Sequence, residues 1–151
     1  MLLSMKPSRL ALLLLAVRAF SQDFSLVEPA DLAKTLESGA KKPAVICVAF
    51  PVLYRSKHIA GASFAGPGNK PEGIEAIKKA VSGMAKDADI VLYCGCCPME
   101  RCPNVRPAYQ ALQDEGFTHV RVLRIPTNMA TDWYSKGYPS EAGPAGGGGR
   151  Q

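Results

Sequence analysis

The sequence predicts an α/β fold of about five mostly parallel strands with helices on both faces. Three observations carry that reading. Short apolar, β-branched runs alternate with helical patterns along the chain, the order that builds a parallel sheet. Two of the runs, "PAVICVAF" and "ADIVLYC", are continuously apolar, as strands covered on both faces are. The helical patterns between them carry their apolar residues on one stripe.

Taken in order, Phe24 to Val27 is a short strand, followed by Pro29 at a helix start, Leu32 and Leu36 on one face, and Gly39 closing the helix. Pro43 to Phe50 is a buried strand. Pro71 to Met84 is a helix with Ile74, Ile77 and Val81 on its stripe. Ala88 to Cys94 is a second buried strand, Val105 to Phe117 a helix closed by Gly116, and His119 to Ile125 a further strand. Ligands of such sheets sit beyond the carboxyl ends of the strands, and Cys94 stands at one of those ends.

The chain has 151 residues, 47% of them hydrophobic, which suits one core and one domain. Its formal charge is +5, from 18 basic and 13 acidic residues. Lys6, Arg9 and Arg18 all fall within the first 21 residues, where there is no acid, so the remainder holds 15 basic and 13 acidic residues. A surface so nearly balanced argues against a nucleic-acid partner. Residues 1–21 read as a signal peptide: basic residues, an apolar run from Leu10 to Val17, and Ala19-Phe20-Ser21 as a small-x-small cleavage site. The run is shorter than the roughly 20 residues of a bilayer span, so the expected product is secreted or periplasmic and carries no membrane anchor after cleavage. The folded unit is expected over residues 22–142, with a Gly-rich flexible tail over 143–151.

The loop "YCGCCPMERCPNVRPAY" concentrates four of the five cysteines: Cys94, Cys96, Cys97 and Cys102. A thiolate is the reactive form of cysteine. A strand end followed by a loop that leads into a helix N-terminus offers backbone N–H groups and positive potential to such an anion. Gly95 gives the loop its turn, and Arg101 and Arg106 offer planar, bidentate donors to an anionic substrate. In an oxidising compartment Cys96, Cys97 and Cys102 are also candidates for disulfide or dithiol redox chemistry.

Several segments resemble rhodanese-like domains. "YRSKHIAGASF" is similar to that family's His-Ile-x-Gly-Ala segment, and "IVLYC" to the strand that delivers its catalytic cysteine. "AYQALQDEGFTHVRVL" resembles its next helix, Gly-Phe turn and strand, and "DWYSKGYPSE" its closing Trp-x-x-x-Gly-x-Pro. The resemblance spans Leu26 to Glu141. It implies a three-layer rhodanese-like fold and a sulfurtransferase in which Cys94 takes a sulfane sulfur from a small anionic donor as a persulfide and passes it to a thiol or other nucleophile, with no cofactor. The chain departs from the pattern in three places. Cys47-Val48-Ala49 stands where the family has Asp-Val-Arg, Pro126-Thr127 replaces its Gly-Gly, and the stretch from Cys94 to Gly116 is several residues longer. Cys96 to Arg101 keeps the family's Cys-x4-Arg spacing, so Cys96 stays open as the nucleophile beside Cys94.

Other chemistries could use the same thiols. Cys94-Gly-Cys-Cys97 resembles a thioredoxin motif. Cys94, Cys96, Cys97 and Cys102 together could hold zinc or Cu(I), although adjacent cysteines strain a closed four-thiolate site. A Cys-x5-Arg phosphatase loop fits neither Cys94 nor Cys96. A domain that only binds a protein partner also fits the pattern. His58 is expected to pack or hydrogen-bond at the sheet edge, His119 to be exposed, Trp133 to anchor a helix on the core, and Cys47 to be an inert buried residue.

Overall fold

The structure is a computed structural model that describes residues 24–143; the expected signal peptide over residues 1–21 and nearly all of the expected tail lie outside the described residues. Chain order is β1 (Leu26–Val27), α1 (Pro29–Glu37), β2 (Ala44–Cys47), α2 (Pro51–Ser56), β3 (His58–Ile59), β4 (Ser63–Phe64), α3 (Pro71–Val81), β5 (Ile90–Tyr93), α4 (Val105–Asp114), β6 (Val120–Leu123), α5 (Met129–Asp132) and β7 (Ser140–Glu141). Short 3-10 turns cover Met99–Arg101 and Tyr134–Lys136.

Five strands form one sheet in the order β1-β6-β5-β2-β4, and every pair in it is parallel. The two fully apolar runs take the centre. β2 pairs with β5 from Ala44 opposite Ile90 to Cys47 opposite Tyr93, and β5 is buried along its whole length. Both faces of those strands are covered, which is why neither alternates polar with apolar residues. β3 and β7 make a small antiparallel pair beside the main sheet.

The helices follow their stripes. Leu32 and Leu36 are buried on α1, Ile77 and Val81 on α3, and Ala108, Ala111 and Leu112 on α4. Each of α1, α2 and α3 begins with proline at its first turn, where the missing N–H costs nothing. Gly116, at φ +87, ends α4 in the left-handed region as expected. Gly39 does not play that role: α1 ends at Glu37, and the cap Ser38 is extended and donates from its hydroxyl to the Thr35 carbonyl. Trp133 is fully buried and its indole N–H donates to the Pro139 carbonyl at 3.0 Å, fixing the closing segment. No helix among the described residues is long and apolar enough to cross a membrane.

His58 is buried between acceptors. Its Nδ1 lies 2.9 Å from the Tyr54 carbonyl, its Nε2 lies 3.1 Å from Glu141 Oε1, and its ring stacks on Tyr54. It ties α2, β3 and β7 together, the packing role expected of it.

Candidate active site

β5 ends at Tyr93, so Cys94 emerges at the carboxyl edge of the sheet between β2 and β6. The chain then turns at Gly95, whose φ of +77 is a left-handed conformation that glycine adopts without strain. Glycine is needed there for space as well, because a Cβ would overlap the Met129 side chain. The loop is held at both ends of its path. The Met129 N–H donates to the Gly95 carbonyl at 3.2 Å, and the Met99 N–H donates to the Ile125 carbonyl at 2.9 Å.

Three sulfurs gather at this turn. Cys94, Cys96 and Cys102 place their Sγ atoms within 4.8 Å of one another. Cys94 and Cys96 are 3.2 Å apart, and Cys97 follows at 3.3 Å from Cys96. All five cysteines are free thiols. Cys94 and Cys102 are buried, whereas Cys96 and Cys97 are partly exposed.

Asn104 completes the cluster. It stands at the N-cap of α4, where asparagine ordinarily caps the helix with its side chain, yet it makes no cap bond. Its Nδ2 donates to Cys94 Sγ at 3.4 Å, and its Oδ1 accepts the Asn69 N–H at 3.2 Å. Being fully buried, this side chain is bound at both ends, so the amide has one orientation and Cys94 has a fixed donor.

The thiols differ in acidity for separate reasons. The hydrogen bond to Cys94 and then burial push the Cys102 thiol far up, against backbone N–H groups of Asn104 and Val105 that favour its anion. Burial pushes Cys96 up to about 12. Burial also raises Cys47 to about 11, against hydrogen bonds from the Ala49 backbone and the Tyr93 side chain. The Tyr93 hydroxyl in turn accepts the Ile59 N–H at 3.2 Å.

A cleft of about 350 Å³ opens over this edge, lined by Cys94, Cys96, Tyr54, Lys57, Met129 and Tyr134 among others. Lys57 is the one charged residue among the described residues that line it. Its ammonium lies 4.9 Å from the centre of the Tyr134 ring, and the Tyr134 hydroxyl donates to the Lys57 carbonyl at 2.6 Å. Cys47 also lines the cleft floor, beside Tyr93.

The structure therefore brings Cys94, Gly95, Cys96 and Cys102 together and leaves other expected residues apart. Arg101, in the 3-10 turn, is exposed and does not line the cleft. Arg106 does not line it either and lays its guanidinium over the Phe24 ring at 4.7 Å. Cys97 touches Cys96 but is outside the three-sulfur group. Lys57 and Asn104 were not singled out from the sequence. Asn104 had a local signal, an asparagine at a helix start just after a proline, but its diversion to Cys94 depends on long-range packing. Two alternatives lose ground on topology and charge. Among the described residues, only β6 joins the main sheet after α4, fewer strands than a thioredoxin fold requires, and no arginine lines the cleft as a phosphatase cradle would need.

No family model matches the chain, and no curated protein matches it. Solved structures do. The Alr3790 protein from Anabaena superimposes with a TM-score of 0.61 and 24% identity, covering 79% of this chain and 94% of that one. The solution structure of the rhodanese-like domain of the same Anabaena protein gives a TM-score of 0.57 and 25% identity, covering 83% of this chain and 89% of that one. The chain has a rhodanese-like fold. The same fold recurs in the anaerobic ergothioneine biosynthesis enzyme from Chlorobium limicola, solved in complex with trimethyl histidine, at a TM-score of 0.59 and 20% identity over 80% of this chain and 28% of that one. Within this rhodanese-like fold, the loop after β5 is where the expected nucleophile stands.

Proposed function

We propose that the domain is a sulfurtransferase in which Cys94 carries the sulfur. The observation that supports this most is the placement of Cys94: at the carboxyl end of the central strand β5, on the wall of the cleft, with the Asn104 amide donating to its sulfur. In the first half-reaction the Cys94 thiolate attacks the outer sulfur of a thiosulfate-like donor. An S–S bond forms at Cys94, the bond to the sulfonate breaks, and sulfite leaves with its electron pair. In the second, a thiol or cyanide attacks the outer persulfide sulfur, takes it, and returns the Cys94 thiolate. Lys57 supplies positive charge to hold an anionic donor in the cleft, and the N–H of Asn104 bonds more strongly to an anionic sulfur than to a neutral one.

Cys96 is the weaker nucleophile candidate. Its thiol is pushed up to about 12, so its thiolate is scarce at neutral pH. We also propose that the domain works outside the cytosol, which the basic-then-apolar pattern of residues 1–21 supports; N-terminal sequencing of the native protein is expected to begin near Gln22. The catalytic reading is tested by thiosulfate-to-cyanide transfer. Wild type and Cys97→Ser are expected to turn over and Cys94→Ser to show none, since a serine hydroxyl is not ionised and forms no persulfide. Full transfer by Cys94→Ser, or none by the wild type, would overturn it.

A further inference from the structure

Sulfur transfer uses one thiol of the cluster, and Cys102 has no part in it. Cys102 is nevertheless held with its sulfur against those of Cys94 and Cys96, three side chains from one short loop converging on a single point. Among the described residues no histidine or carboxylate belongs to that group, so the donor set is purely thiol. Thiolate sets of this kind select soft cations and discriminate against magnesium, calcium and manganese. With metal–sulfur bonds of about 2.3 Å, three sulfurs around one ion stand about 4 Å apart, inside the 4.8 Å that separates these atoms at most. Cys94 and Cys96 need only to part slightly from their present 3.2 Å.

The surroundings suit an ion as well. Cys94 and Cys102 are buried, which keeps water away, while Cys96 is partly exposed on the cleft and offers the way in. Outer donors are already aimed at two of the three sulfurs: the Asn104 side chain at Cys94, and the backbone N–H groups at the start of α4 at Cys102. Such donors orient sulfur ligands and offset their negative charge. Cys97 lies outside the group, so a fourth sulfur for tetrahedral zinc is not in place.

We propose that Cys94, Cys96 and Cys102 form a three-coordinate thiolate site for Cu(I). On binding, three thiol protons pass to solvent and three sulfur–copper bonds form, with no change in the oxidation state of copper. Because Cys94 is shared, the copper-bound and persulfide-bearing states exclude each other. The metal reading stands independently of sulfur transfer.

The test is anaerobic titration of the reduced full chain with Cu(I), supplied as its acetonitrile complex in competition with bicinchoninate, with X-ray absorption of the loaded protein. One Cu(I) per chain is expected, with three sulfur neighbours. Cys97→Ser is expected to bind like the wild type. Cys96→Ser and Cys102→Ser are each expected to lose about a hundredfold or more in affinity, the scale of a lost ligand rather than a loosened one. Circular dichroism confirms that each variant is folded, and the sulfur count on the wild type needs no variant. The proposal is overturned by failure to compete with bicinchoninate, by two or four sulfur neighbours, by undiminished binding in Cys102→Ser, or by loss of binding in Cys97→Ser.

Discussion

The side-chain amide of Asn104 donates to the sulfur of Cys94 at 3.4 Å, although Asn104 stands where asparagine would cap α4. The helix start gives up that cap bond, and the cysteine at the end of β5 gains a donor whose other end is fixed on the Asn69 N–H. Under the proposed function, Asn104 is a positioning residue. Asn104→Ala is expected to lower kcat for sulfur transfer about tenfold, equivalent to about 1.4 kcal/mol of barrier, with KM for the donor little changed. Stability should fall by only about 1–2 kcal/mol, the usual cost of a lost hydrogen bond with its partner left in place. Steady-state kinetics alongside thermal melts separate the two effects. A fall in KM-dependent binding alone would assign Asn104 to the donor instead.

Lys57 is expected to set the preference for anionic donors. Lys57→Met should raise KM for thiosulfate severalfold, with a smaller effect on an uncharged organic persulfide, and the difference should shrink as salt screens the charge. Arg106→Ala should leave that preference unchanged, because its guanidinium rests on Phe24 rather than in the cleft. Comparing the two donors for both variants at low and high salt checks this.

Much of the fold was legible because β2 and β5 are covered on both faces, and full burial writes an unbroken apolar run into the sequence. Cys94 was legible for the same reason, as the residue where such a run meets a loop. α2 was not, since Pro51–Ser56 buries no side chain and so has no stripe to read. β3, β4 and β7 are two residues each, too short for any period. Charge beside Cys94 does not follow sequence proximity. Arg101 and Arg106 are close to Cys94 along the chain but do not line its cleft, while Lys57, distant in sequence, reaches that wall from the junction between α2 and β3.

Gly95→Ala is expected to destabilise the domain by about 1–2 kcal/mol from the left-handed backbone alone, and by more because the new methyl overlaps Met129. Adding Met129→Ala should recover only the overlap, leaving the conformational cost. Chemical denaturation of the two single variants and the double variant measures the coupling.

Stability is expected to fall in alkali. Burial raises the Cys47 thiol from its ordinary value of 9.0 to about 11, so the folded state holds this proton more tightly than the unfolded chain does. The sign follows from that: the contribution is complete below pH 9 and is lost as pH rises toward 11, amounting to roughly 2–3 kcal/mol. Cys96 and Cys102, raised for the reasons given above, act in the same direction. Denaturation of wild type and Cys47→Ala between pH 8 and pH 11 should show the slope reduced in the variant.

The identity of the sulfur carrier is read most directly by intact mass after a single exposure to thiosulfate, before and after reductant, with peptide mapping. Wild type is expected to gain one sulfur atom that reductant removes and that maps to Cys94, and Cys94→Ser to gain none. A gain that survives in Cys94→Ser, or that maps to Cys96, would contradict the assignment of Cys94 as the nucleophile.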